Sequence, residues 1–284
     1  MKTALHITIW LLVLAAAATG VFYRTSEPHV QMTTVRDEQA TYQGSGLYRY
    51  DPASVAREGI VWDSVNLLIG LPLLALGIHL RRRGSLRGRL LLAGLFFYFF
   101  YNYLMYATMT AFNPFFLVYV AIFALSSVAF LVNLGEIDVA GLPAAVTPHF
   151  PRRTFIAYSL GMGVMIALLW LRLTVSIMAA GRFPAEIAGM NTLQTQAMDL
   201  GMIVPLTISA GLLLWRRRPW GYMLAAIVAS FGLMMCIVLP AWIAVPLIQD
   251  GRIDLVEAVP FLAGCALGLT LAIWLARSIR EVGT

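Results

Sequence analysis

The chain has 284 residues, of which 60% are hydrophobic and 12% are charged, with a mean hydropathy of +0.79. Soluble domains carry about a quarter charged residues, so this composition excludes an ordinary soluble protein and indicates an integral membrane protein with several spans. The net charge of +6 does not indicate nucleic-acid binding. The arginines occur in short clusters between apolar runs, where membrane proteins carry their orientation signals.

Two interpretations of the first apolar run, residues 4–23, are open. Its basic start at Lys2 and its Ala-rich end are typical of a cleaved signal peptide. Its length of about 20 residues, without an evident cleavage site, favours a first transmembrane helix or signal anchor over residues 1–23. We expect the uncleaved helix.

Residues 24–59 form the longest polar stretch and contain the segment YQGSGLYRYDP. About 35 residues between two spans is longer than a simple connection. Tyr42, Tyr48 and Tyr50 argue against disorder, because disordered tracts are poor in aromatic residues. We therefore expect an extracytoplasmic loop that covers the helix ends or contacts a membrane protein partner.

Seven further apolar runs predict a seven-helix membrane bundle over residues 60–284. The predicted fold class is all-α, a polytopic transmembrane helical bundle of eight spans, or seven if the first is a cleaved signal. The predicted spans are roughly residues 60–80, 90–111, 115–134, 154–180, 195–215, 221–248 and 259–275.

The distribution of basic residues predicts the orientation in the membrane. With a cytoplasmic N-terminus, 13 basic residues lie inside, whereas the outer side holds six, together with nine acids. The positive-inside rule then places both termini in the cytoplasm and residues 24–59 outside the cell inner membrane.

The stretch from Leu95 to Tyr119 is apolar enough to span a bilayer but is rich in polar groups. Tyr98, Asn102 and Tyr106 recur at four-residue spacing, so they form one stripe on a helix. A buried amide or phenol in hydrocarbon needs a partner. We expect this stripe to face protein and to supply packing contacts or line a pocket.

Three ionisable residues, Asp63, Arg172 and Asp199, fall within predicted spans. Residue counting from the helix ends places all three in the outer third of the bilayer, with Asp63 and Asp199 in the first turn or two of their helices. We expect Arg172 to pair with one carboxylate, which leaves the other to bind a cation or exchange a proton. A structural clamp and charges that snorkel to the interface are the alternatives.

These residues and their polar neighbours define the candidate ligand- or proton-binding site. No His or Cys cluster has metal-ligand spacing, and no nucleotide or hydrolase motif is present, so we expect no metal or cofactor. The candidates are Asp63, Asn66, Tyr98, Asn102, Tyr106, Arg172, Gln196 and Asp199.

Several segments resemble a family of multi-pass bacterial and archaeal membrane proteins from residue 46 onward. The resemblance implies the multi-pass topology and carries no assigned activity. The segments are GLYRYD (46–51), RRGSLRGRLLLAG (82–94), FNPFFLVYVAIFALS (112–126), DLGMIVPL (199–206) and RRRPWGYMLA (216–225).

Three functional hypotheses follow. The leading one is a transporter-like inner-membrane protein whose outer-facing polar pocket binds or moves a small solute or proton, although the sequence shows no internal inverted repeat. The second is a membrane-embedded enzyme that acts on a lipid-like substrate with Asp63 or Asp199 as acid or base. The third is a non-catalytic sensor or assembly subunit that contacts a partner through residues 24–59.

Overall fold

The computed structural model describes residues 2–184, 187–250 and 255–281, and only the backbone of residues 245–250 and 256–257. Glu186, Arg252 and Asp254, which entered the charge comparison, lie outside the described residues. The eight long apolar helices found there confirm the all-α polytopic bundle. They are α1 (Lys2–Phe22), α2 (Ala53–Arg82), α3 (Leu86–Met109), α4 (Phe116–Leu134), α5 (Arg152–Ala180), α6 (Gln194–Trp215), α7 (Pro219–Asp250) and α8 (Leu255–Ser278).

Two short elements lie outside the spans. The loop between α1 and α2 contains an antiparallel hairpin, in which β1 (Val30–Thr33) pairs with β2 (Gln39–Tyr42). A single helical turn, Leu142–Ala145, lies between α4 and α5. The loop between α1 and α2 is thus folded, as its aromatic residues predict.

Helix α3 forms the centre of the bundle and packs against α2, α4 and α7. Tyr98, Asn102 and Tyr106 are 0%, 1% and 4% exposed. The prediction that this stripe faces protein is confirmed. The cause is the one inferred from the sequence, since these polar groups find hydrogen-bond partners on the neighbouring helix α2.

Helix α2 begins at Ala53, directly after Pro52, and not near Ile60 as hydropathy predicts. The polar residues that start this helix are compatible with helical backbone, and hydropathy marks only the part suited to hydrocarbon. Asp63 lies ten residues after Ala53, about 15 Å along the helix axis. Its predicted position in the first turn or two is therefore wrong.

Helices α2 and α3 recur later in the chain as α6 and α7. Two spans, α4 and α5, lie between the two copies, so both copies cross the bilayer in the same direction, which makes this a direct and not an inverted repeat. Corresponding boundaries are separated by a constant 133 residues: π-helical turns at Asn66–Gly70 and Asp199–Ile203, α-helical segments at Leu71–Arg82 and Val204–Trp215, and next helices from Leu86 and Pro219.

Proline explains the π turns. Pro72 and Pro205 lie near the start of the α-helical segment that follows each turn. A proline lacks the N–H of a regular helical bond and its ring clashes with the carbonyl group four residues earlier. A π turn absorbs this mismatch by widening the backbone for one turn, and such turns occur often at functional sites.

The two copies share their tight turn and meet at equivalent positions. Gly88 and Gly221, 133 residues apart, each lie against the backbone of the preceding helix, where a Cβ atom would overlap it. Tyr98 and Phe231, also 133 residues apart, contact each other with ring centroids 6.3 Å apart. The two copies therefore contact each other at equivalent positions of α3 and α7.

The arginine-rich ends of the helices are tied together by acidic residues. Glu136, just after α4, accepts hydrogen bonds from Arg81 over 2.7 Å and 2.5 Å and pairs with Lys2 over 2.6 Å. The carboxylate of Glu281 accepts from the Leu86 backbone N–H over 2.8 Å, where it meets the positive end of the α3 dipole. The ends of α1, α2, α3, α4 and α8 therefore lie on one side, called the basic side below.

Candidate functional site

The buried carboxyl group of Asp63 is the centre of the first polar cluster. The Tyr48 hydroxyl donates to Oδ2 over 2.5 Å, and the Tyr106 hydroxyl lies 3.1 Å from Oδ1 and 2.8 Å from the Gly59 carbonyl oxygen. Asp63 is 1% exposed, and none of the described ion pairs includes it. The carboxyl is thus held by neutral phenols inside the bundle.

Tyr48 comes from the loop, and its side chain enters the bundle. It is 2% exposed and lies against Gly59 of α2. Gly20 of α1 lies on its other side, where a Cβ atom would overlap Asp63 Oδ2 and approach the Tyr48 hydroxyl oxygen to 2.9 Å. Burial and the nearby Asp63 charge raise the pKa of Tyr48 well above its usual range, so this phenol keeps its proton and acts as a donor.

A second buried carboxyl group fixes the end of the same loop. Asp51 Oδ1 accepts from the Ala111 backbone N–H over 2.6 Å, which joins the loop to the end of α3. Oδ2 has no hydrogen-bond partner among the described residues. Burial raises the pKa of Asp51 to about 7, because the hydrogen bond from Ala111 only partly offsets the loss of solvent.

Asn66 forms an amide cluster one turn further along α2. Its Nδ2 donates to Asn102 Oδ1 over 3.0 Å, and its Oδ1 accepts from the Tyr98 hydroxyl over 2.7 Å. Three of the predicted site residues are therefore brought together at 0–1% exposure. The first π turn begins at Asn66, so the backbone irregularity coincides with this cluster.

Asp199, at the repeat position equivalent to Asn66, forms a separate cluster. Its Oδ1 accepts from the Tyr101 hydroxyl over 2.6 Å and its Oδ2 from Trp170 Nε1 over 2.8 Å. Gln196 lies three residues earlier on the same helix face, 8% exposed, and its Oε1 has no partner among the described residues. This cluster offers oxygen acceptors, whereas the Asn66 cluster is internally satisfied.

Arg172 does not form the predicted ion pair. It is exposed on α5, and within the described part of the chain it pairs with neither Asp63 nor Asp199. The carboxylates take phenol and indole donors from α3, α5 and the loop instead. Arg172 lies eight residues, or about 12 Å, before the end of α5, and the alternative of a long cation that reaches towards the interface stays a prediction.

Sequence reasoning missed three partners, namely Tyr48, Tyr101 and Trp170. Tyr48 was noted only as an aromatic residue of the loop, and nothing in the spacing shows that its side chain enters the bundle. Tyr101 lies beside the predicted stripe of α3 on a different face of the helix. The available signal was chemical: a carboxylate in hydrocarbon needs donors, and tyrosine and tryptophan are the donors that apolar spans contain.

The hairpin is held against the loop between α5 and α6. The Arg36 guanidinium donates to the carbonyl oxygens of Met190 and Asn191 over 2.9 Å and 3.0 Å and lies 4.4 Å from the Phe183 ring centroid. Glu38 Oε1 accepts from the Phe183 backbone N–H over 2.9 Å. The loop that carries Tyr48 is therefore connected to the loop that leads into α6.

This fold and these clusters define a polytopic membrane protein with hydrogen-bonded carboxyl groups inside its helical bundle. Among the described residues, no group of three or more His, Cys, Asp and Glu side chains is placed to hold a metal ion. No protein-family model, curated protein or solved structure matches the chain. Functional inference therefore depends on the geometry alone.

Proposed function

We propose that the protein is a membrane carrier that binds and moves a proton or a small solute, with Asp63 and Asp199 as the exchanging groups. In this proposal it lies in the cell inner membrane with both termini cytoplasmic and residues 24–59 outside. We also propose that the chain is related to the multi-pass bacterial and archaeal membrane proteins that it resembles. This resemblance implies no particular activity.

The observation that carries the proposal is the Asp63 carboxyl group, which is buried among phenols and belongs to no ion pair among the described residues. Ionisable groups within a membrane are costly, so structural ones normally pair with an opposite charge or lie at an interface. Among the described residues, Asp63 takes hydrogen bonds from phenols and forms no ion pair. A carboxyl group whose hydrogen-bond partners are neutral can gain or lose a proton or cation without breaking an ion pair.

The direct repeat supports a carrier. Transporters are often built from repeated units, and their sites lie at the interface between units beside irregular helices. Here each unit has its irregular turn at a polar residue, Asn66 in the first and Asp199 in the second. Tyr101 on α3 of the first unit donates to Asp199 of the second, so this contact crosses the interface.

The residues have distinct roles in this proposal. Tyr48 closes the Asp63 cluster from the loop side, and its displacement would expose the carboxyl group to water. Asn66, Tyr98 and Asn102 supply amide and phenol groups along the path. Gln196 Oε1 and Asp199 supply acceptor oxygens at the second position.

Proton flux into proteoliposomes, measured with a trapped pH-sensitive dye, tests the proposal. Wild-type protein should carry protons down an imposed gradient, and Asp63→Asn and Asp199→Asn should each lower the rate at least about tenfold, because an amide cannot exchange the proton. Asp138→Asn, at an exposed carboxylate outside the spans, is the matched control. Equal rates of proton flux into empty vesicles and into vesicles with wild-type protein would exclude proton movement. Changes in the Tm of the wild-type protein on addition of small solutes would then test whether it binds a solute.

A non-catalytic sensor or assembly subunit is a second candidate, favoured by the hairpin surface. Val30, Met32 and Val35 are exposed there by 46%, 56% and 102%. Exposed apolar side chains on a folded loop fit a protein contact. This candidate predicts a stoichiometric partner that copurifies with wild type and Asp63→Asn but is lost with Val35→Asp.

A further inference from the structure

Two grooves open on the surface of the bundle towards its basic side. The larger, of about 530 Å³, lies between the last turns of α8 and the segment after residue 145, and its lining includes Arg277, His149, Trp274 and Ile273. The smaller, of about 250 Å³, lies between α1 and the end of α2, and its lining includes Arg82, His79, Trp10 and Ile78. Each combines an arginine, a histidine and a tryptophan with an apolar wall.

The position of these residues along their helices orients the larger groove relative to the membrane. Arg277 and Ser278 end α8, whereas Thr270 lies seven residues, or about 10 Å, earlier in the helix. Ile273 and Trp274 lie between them. The groove therefore runs from a cationic end at the end of α8 into the span, with the apolar side chains of Ile273 and Trp274 along its wall.

The smaller groove has the same polarity. Arg82 ends α2, and Ala75 lies seven residues, or about 10 Å, deeper in that helix. On α1, Ile7 and Trp10 complete the apolar wall at similar depth. Trp10 Nε1 donates to the Leu71 carbonyl oxygen over 3.1 Å, which fixes the indole ring at the deep end of the groove, because Leu71 lies eleven residues before Arg82.

The arginines of both grooves are available for an anion. Arg82 and Arg277 are exposed, and within the described residues no ion pair includes either. The neighbouring Arg81 is already bound to Glu136. Exposed guanidinium groups at a membrane interface attract anionic headgroups and bind phosphate oxygens in a bidentate manner.

We propose that the two grooves are binding sites for an anionic phospholipid. The arginine, with the histidine beside it, binds the phosphate, and one acyl chain follows the apolar wall; in the larger groove the tryptophan lies at the level of the glycerol. A lipid fits better than a free anion because each groove extends about 10 Å along its helix from the arginine into the apolar part of the span. The larger groove is expected to bind more tightly. This proposal is independent of the carrier function.

Native mass spectrometry of the delipidated full-length protein, titrated with phosphatidylglycerol or phosphatidylcholine, tests the proposal. Wild-type protein should retain two phosphatidylglycerol molecules at concentrations where phosphatidylcholine is lost. Arg277→Ala and Arg82→Ala should each weaken one site about tenfold, the effect of one lost hydrogen bond to a charged group. Arg277→Lys should retain part of the affinity, since it keeps the charge but loses the planar fork.

Arg280→Ala and Arg83→Ala are the matched controls, because both arginines are exposed on the same side and line neither groove. They should leave both sites intact. Equal losses in the controls and the groove variants would show general charge attraction and overturn the proposal. Displacement of the lipid by glycerol phosphate at similar concentration would overturn it as well, because the acyl wall would then contribute nothing.

Discussion

The Tyr48 hydroxyl donates to Asp63 Oδ2 over 2.5 Å and so joins the extramembrane loop to the middle of α2. Tyr106 of α3 lies on the other carboxyl oxygen at 3.1 Å. The loop, α2 and α3 therefore share one buried polar contact. Loss of Tyr48 leaves Asp63 Oδ2 without its donor, and loss of Asp63 leaves the Tyr48 hydroxyl without its acceptor, in a buried environment where an unpaired polar group is costly.

The first prediction concerns this contact. Tyr48→Phe keeps the ring and removes the donor, so it should lower the free energy of unfolding by about 1–3 kcal/mol, measured by thermal unfolding in detergent or nanodiscs. Combined with Asp63→Asn, the loss should be smaller than the sum of the single losses, because the two residues are coupled. Tyr50→Phe, at an exposed loop tyrosine, is the control. Additive losses would contradict a direct bond.

The second prediction concerns the space at Gly20. An added Cβ atom would overlap the Asp63 carboxyl group, so Gly20→Ala should displace Tyr48 or α1 and lower the unfolding free energy by about 1–3 kcal/mol or more. Gly161→Ala adds the same methyl group on α5, where nothing lies within 4 Å, and should be neutral or slightly stabilising. Equal effects of the two changes would show that α1 does not pack on Asp63.

The third prediction is a dependence of stability on pH through Asp51. Burial raises its pKa in the folded protein to about 7, against an ordinary value of 3.8. The folded state then holds more protons than the unfolded state between these values, so stability should fall as pH rises from about 4 to 7. Asp51→Asn should flatten this slope in melting curves recorded from pH 4 to 8. An unchanged slope would show that Asp51 does not titrate in this window.

The fourth prediction has the opposite sign and concerns Glu136. Hydrogen bonds from Arg81, together with Lys2, lower its pKa from 4.5 to about 2 despite partial burial. Its contribution to stability is therefore fully present above pH 4.5 and is lost as pH falls towards 2. Glu136→Gln should be less stable than wild type at pH 7, and the gap should narrow below pH 4. Asp138→Asn, at an exposed neighbour, should leave no such gap.

The fifth prediction concerns Arg172. Because it is exposed on α5 and pairs with neither membrane carboxylate among the described residues, Arg172→Leu should change the unfolding free energy by less than about 0.5 kcal/mol. A comparable change at a partnered arginine, Arg81→Leu, should lower the unfolding free energy more, because it removes the two hydrogen bonds that Arg81 donates to Glu136. A large loss for Arg172→Leu would restore the ion pair expected from the sequence.

The sequence by itself determined the eight spans, because the composition of a stretch decides whether it is stable in hydrocarbon. It also determined that one face of α3 must be buried, since Tyr98, Asn102 and Tyr106 recur at helical spacing and cannot face lipid unpartnered. The existence of polar contacts followed from the same rule. The sequence therefore predicted which groups need partners.

Only the tertiary structure decided which partners they have. The sequence placed Arg172 with the acids because opposite charges attract, but Asp63 takes Tyr48 from the loop and Asp199 takes Tyr101 from 98 residues away. Several donors within a bundle satisfy a carboxyl group equally well, and helix rotation, helix crossing and the path of the loop select among them. The direct repeat likewise appears through the backbone, because π turns and tight turns recur where most side chains have changed.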